Sequence, residues 1–144
     1  AKFIHIARNP YKTCLSTRKL YKNFFPLYDL QYIAGDDELE ETQLKVYEAL
    51  YKKYFEQKHL IPEGNLIEIK YEKFIKEPLA HMKMIYEALG LPGYSEAEGN
   101  FIAHIEAEKQ YKPNSYAYDK DKLARMKERL SFAFEELGYP EDYI

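Results

Sequence analysis

The stretch Lys2-Phe3-Ile4-His5-Ile6-Ala7-Arg8-Asn9-Pro10-Tyr11-Lys12-Thr13-Cys14-Leu15-Ser16 limits the fold of this chain more than any other. Phe3, Ile4, Ile6 and Ala7 make an apolar run of the length of a buried strand, and the run stops at Arg8. Asn9 offers a side-chain oxygen as a helix N-cap. Pro10 suits the first helical position, because the N–H it lacks would be unpaired there. A strand that leads directly into a helix leaves free backbone N–H groups and a positive dipole end at one spot. Arg8 stands at the lip of that spot with a planar, permanently charged fork suited to phosphate. Ser16, less than two helical turns up, can offer a hydroxyl toward the same region. Composition and periodicity alone define a candidate anion site on an α/β turn.

The rest of the chain supplies helices and one more strand. The first helix is predicted from about Pro10 to Lys22, with Pro26 in Phe24-Phe25-Pro26-Leu27 as the stop. Asp37 with Glu40 reads as a capping box opening a long helix to about Lys58. Its stripe of Leu39, Gln43, Val46, Leu50 and Tyr54 is flanked by Tyr47, Tyr51 and Phe55. That Tyr-rich face is either core with hydroxyls reaching solvent or part of an acceptor pocket. Pro62-Glu63-Gly64-Asn65 is turn chemistry ahead of a strand over Leu66 to Lys70, which has Ile67, Ile69 and Tyr71 on one face. Pro78 opens a helix whose apolar face is Leu79, Met82, Ile85, Tyr86 and Leu89, with Gly90 as its left-handed stop. Ser95 with Glu98 reads as a second capping box. Lys109 to Tyr118 is a polar, aromatic loop, and Asp119 caps a last helix ending at Leu137 and Gly138.

Two blocks resemble the sulfotransferase family, enzymes that use 3′-phosphoadenosine 5′-phosphosulfate (PAPS). The first is Arg8-Asn9-Pro10 with Ser16, similar to the family's 3′-phosphate-binding segment. The second is Ile69-Lys70-Tyr71-Glu72-Lys73-Phe74-Ile75-Lys76-Glu77-Pro78, followed by Ile85 and by Leu89-Gly90-Leu91-Pro92. It resembles the family's strand, Tyr-Glu-Asp-type turn and the helix that ends in Leu-Gly. The resemblance implies an α/β fold: a helix-rich portion of a P-loop-like three-layer fold, with a small parallel sheet and two strands in this chain. It also implies that Arg8 and Ser16 hold the 3′-phosphate and that Tyr71 approaches the adenine. Glu72 reads as structural. Lys112 stands where many sulfotransferases place a further 3′-phosphate contact, although the Arg-Lys-Gly wording of the cytosolic branch is absent and a solvated lysine is the default. The family's phosphosulfate-binding loop and general base precede the first block, so no catalytic residue is expected in this chain.

Bulk properties fit one domain, 1–144, expected to be incomplete: the sequence enters its first strand at residue 2 or 3, which suggests a missing N-terminal portion. A net charge of −3 with interleaved signs gives no nucleic-acid footprint. The single cysteine excludes an internal disulfide and fits a reducing, cytoplasmic setting. No apolar run approaches the roughly 20 residues of a membrane span. His5, His59, His81 and His104 lie far apart, which gives a zinc site no support, and no metal is expected. Cys14 is expected as a buried inert thiol. No Gly-x-Ser-x-Gly elbow or phosphate-binding Gly-x-x-x-x-Gly-Lys-Ser/Thr loop occurs. The expected function is sulfuryl transfer from PAPS to a hydroxyl or amine of a small-molecule, carbohydrate or lipid acceptor. Two rivals are a nucleotide-kinase-like relative, indifferent to a 3′-phosphate, and a non-enzymatic helical interaction module.

Overall fold

The apolar run at the start is a strand, β1 (Phe3–Ala7), and β2 (Leu66–Lys70) has the predicted bounds. The two pair in parallel, with Phe3 opposite Leu66 and Ala7 opposite Lys70. The computed structural model describes residues 1–28, 35–110 and 119–140. Its α-helices are α1 (Pro10–Phe24), α2 (Asp36–Gln57), α3 (Tyr71–Phe74), α4 (Pro78–Ala88), α5 (Tyr94–Ala107) and α6 (Lys120–Leu137). The chain is thus helix-rich α/β with a small two-stranded parallel sheet, the predicted class. It divides into two units, Ala1–Arg8 with His59–Ser115 and Asn9–Lys58 with Tyr116–Ile144.

In the first unit the sheet is started by a tight turn. Asn65 N–H donates to the Pro62 carbonyl at 3.0 Å, and Gly64 takes the left-handed φ of 74° that a side chain would resist. Ile69 of β2 packs with Ile85 and Leu89 of the α4 segment, so the period predicted for that helix is the one it buries. Tyr86 meets Tyr94 and Phe101 edge-on, with centroids 5.5 and 6.0 Å apart, which ties α4 to α5. Two expectations fail here. β1 is not buried: Phe3, Ile4 and Ile6 are 46%, 47% and 46% exposed, and only Ala7 is covered. Parallel strands are stable when both faces are covered, and the described core closes over β2 alone. Ser95 is not a cap. Gly93, at φ 85°, precedes the first residue of α5, which puts Ser95 inside the first turn.

Among the described residues the second unit packs the α-helices α1, α2 and α6. The Tyr11 and Phe134 rings meet at 4.5 Å, and Cys14, Met126 and Leu130 are sealed from solvent. Asn9 and Pro10 start α1 as predicted, but the helix runs two residues past Lys22 to Phe24 before Phe25–Leu27 tighten into a 3-10 turn around Pro26. Asp119 caps α6 by accepting from the Asp121 and Lys122 N–H groups at 3.0 and 3.3 Å, and Gly138 ends it at φ 63°. The long helix departs from its predicted face. α2 starts at Asp36 with Gly35 before it, so Asp37 is no cap and Glu40 is no partner in a capping box. Glu40 is instead 1% exposed, bonded by Arg125 at 2.5 Å and paired with Arg18 at 3.1 Å and Lys122 at 3.2 Å. Three cations draw this carboxylate inward. The buried stripe becomes Leu39, Glu40, Gln43, Leu44 and Tyr47, while Val46 and Leu50 turn out to 42% and 65% exposure.

Candidate cofactor-binding site

The strand-to-helix junction consists of Arg8 and Asn9 alone. Asn9 is fully buried, and its Oδ1 accepts from the Lys12 N–H at 3.2 Å. The Thr13 hydroxyl returns a bond to the Asn9 carbonyl at 3.1 Å. Both local bonds fix where α1 begins.

The register of the sheet decides what Arg8 meets. With Ala7 opposite Lys70, the next residues on each strand are Arg8 and Tyr71, at the carboxyl ends where open α/β sheets bind ligands. The Arg8 guanidinium carbon lies 4.8 Å from the centre of the Tyr71 ring, a cation–π contact. Both residues are half-buried. Arg8 Nε is shielded from solvent and has no hydrogen-bond partner among the described residues. A buried charged donor without an acceptor is costly, and an anion in the guanidinium plane would remove that cost. The pair therefore forms a platform with a cationic edge, able to take an anionic group and an aromatic ring side by side.

Of the four residues singled out from sequence, Arg8 and Tyr71 are brought together. Ser16 is half-buried on α1, in the second unit. Lys112 lies outside the described residues. Glu72 is half-buried in α3, the first turn after β2. Cys14 is sealed, and burial pushes its thiol up to about 12, so it is a poor nucleophile. One pair escaped the sequence reading. His5 Nδ1 and Glu68 Oε1 face each other across the strands at 3.4 Å. Each stands three positions before Arg8 or Tyr71, and that matched spacing was the available signal. Among the described residues no group of three His, Cys, Asp or Glu side chains could hold a metal ion, and no helix is long and apolar enough to cross a membrane.

Two parallel strands with an arginine laid on a tyrosine at their carboxyl ends make a helix-rich α/β chain with a cationic edge on its small sheet. Comparison with known proteins narrows the class: the sulfotransferase family profile matches residues 1–96, and the chain belongs to that family. It is 30% identical over 139 residues to omega-hydroxy-beta-dihydromenaquinone-9 sulfotransferase Stf3 of Mycobacterium bovis, covering 96% of this chain and 36% of that protein. The Mycobacterium tuberculosis protein of the same name matches equally. The chain thus spans about a third of the length of these curated relatives. No solved structure gives a significant match.

Proposed function

We propose that this chain is the donor-binding portion of a sulfotransferase that takes its sulfuryl group from PAPS. The observation that carries the proposal is the Arg8 guanidinium, stacked on Tyr71 with a buried Nε that lacks an acceptor among the described residues. Arg8 and Ser16 hold the 3′-phosphate, Lys112 adds a further contact to it, and a purine packs against the Tyr71 ring. The 3′-phosphate is what separates this donor from ATP-type nucleotides, so Arg8 sets donor identity. When bound, PAPS supplies an activated sulfuryl group whose transfer needs in-line placement of the acceptor and stabilisation of charge on the leaving phosphate. The chain's residues orient the donor. The catalytic base and the groups around the transferred sulfur come from polypeptide outside these 144 residues.

The acceptor carries a hydroxyl or amine. The relatives' names specify a hydroxylated menaquinone, which favours a lipid alcohol over a sugar here. The lone thiol, sealed and free, suits the cytoplasm. Titration calorimetry with adenosine 3′,5′-bisphosphate and adenosine 5′-monophosphate tests the donor site. The bisphosphate should bind at least tenfold tighter, and Arg8→Ala should cost it about 2–5 kcal/mol, the range for truncating one partner of a buried charge pair. Equal affinity for both nucleotides would support a kinase-like site instead. A folded chain that binds neither would support an interaction module.

A further inference from the structure

We propose that the groove between α4 and α5 is a hydrocarbon-chain subsite, which takes the apolar tail of the acceptor. The inference rests on the lipid-alcohol reading above. The groove is open to solvent, offers about 430 Å³ of space, and lies wholly in the first unit. Its wall is Pro78, Leu79 and Ala80 from the start of α4 and Ile102 and Ile105 from α5. None of these side chains carries a hydroxyl or amide, so the wall has nothing with which to read a sugar.

The two polar residues at the groove, Glu77 and Glu106, narrow the occupant further. Lys109 neutralises Glu106 at 2.6 Å, and Glu77 uses its carbonyl to accept from the His81 ring at 2.8 Å. The exposed Glu77 carboxylate offers nothing to the carboxylate of a fatty acid, which favours a neutral chain. α5 shows why the site is open: none of its residues is buried, and Ile102 is 45% exposed. An apolar helix face left uncovered by the described residues gains from any hydrocarbon laid on it, at about 25 cal/mol per Å² removed from water. The groove also lies next to the donor platform along the chain. α3 joins Tyr71 to Phe74, and Phe74 packs edge-on to His81 of α4 at 6.0 Å.

Farnesol, a neutral isoprenoid alcohol, is the probe. It is titrated into the 144-residue chain carrying ¹³C-labelled isoleucine methyl groups, with adenosine 3′,5′-bisphosphate in parallel samples. Saturable shifts of the Ile102 and Ile105 methyls are expected, with Ile105→Glu weakening farnesol at least tenfold while nucleotide affinity holds. Unshifted Ile102 and Ile105 in a chain that binds the bisphosphate would remove the groove and spare the donor site. Shifts centred on Ile4 and Ile6, or shifts that follow protein concentration alone, would also overturn it, the latter because a second copy would then be the occupant. Farnesol at Ile102 and Ile105 in a chain indifferent to the bisphosphate would support the groove and remove the donor proposal.

Discussion

Arg8 shows how one side chain can be nameable from sequence while its setting is not. The Arg-Asn-Pro wording marked it, and Asn9 and Pro10 started α1 where local capping rules put them. Its partner Tyr71 is 63 positions away and was read separately, because the parallel register that stacks the two is a tertiary fact. Replacing Tyr71 with Leu should weaken adenosine 3′,5′-bisphosphate several-fold, since ring stacking and the cation–π contact go together, whereas Tyr71→Phe should change little. Calorimetry on both variants reads the difference. Cys14 yields a second prediction. Its folded-state thiol titrates near 12 against an ordinary value of 9.0, raised first by burial. A pKa raised on folding favours the protonated state, so its contribution is complete below pH 9 and declines as pH rises from there toward 12. Iodoacetamide at pH 8 should leave the native thiol unmodified and label it only after denaturation in urea, as mass spectrometry would show.

Helix bounds were largely legible, since Pro, Gly and Asp punctuate them; helix faces were legible only where hydrophobic burial alone sets the face. α4 packs the centre and end of its predicted face, Met82, Ile85 and Leu89, against Ile69. α2 does not keep its predicted face, because Glu40 is held by Arg18, Lys122 and Arg125 from two other helices of its unit, a cluster with no trace in local sequence. Removing that carboxylate takes a partner from three cations, but Arg18 keeps Asp36 at 3.2 Å, Lys122 keeps Asp37 at 3.6 Å, and the Arg125 side chain is 52% exposed and can return to water. Glu40→Ala should therefore cost about 1–3 kcal/mol, below the full penalty for a wholly buried pair, and lower the thermal midpoint by several degrees in a calorimetric scan. Acid should act on the same unit. Arg129 bonds Glu48 and holds its carboxyl below the ordinary 4.5, and Lys22 does the same to Asp36. A pKa lowered on folding contributes above the ordinary value and is lost as pH falls through the folded one. Stability followed by urea denaturation should decline below about pH 4.5, and Arg129→Met should flatten that decline.

At the scale of the molecule, the feature least legible in advance is the bare first strand. Phe3, Ile4 and Ile6 looked like core, and each is nearly half exposed. Alternation and length mark a strand but not what covers it, and a two-stranded parallel sheet has too few neighbours to cover its own faces. The 144-residue chain should accordingly bind an apolar dye such as ANS, and the double variant Ile4→Thr, Ile6→Thr should lose much of that signal without losing stability, as dye fluorescence and a melting curve would report. The register itself has a hereditary side. Arg8 and Tyr71 are neighbours only because β1 and β2 count out residues in step. Lineages can lengthen the turn at 62–65 at little cost, whereas one codon gained or lost within Phe3–Ala7 or Leu66–Lys70 would part the two while leaving both letters in place. Descendants of this sequence should hold the spacing within the two strands more tightly than that of the turn between 62 and 65.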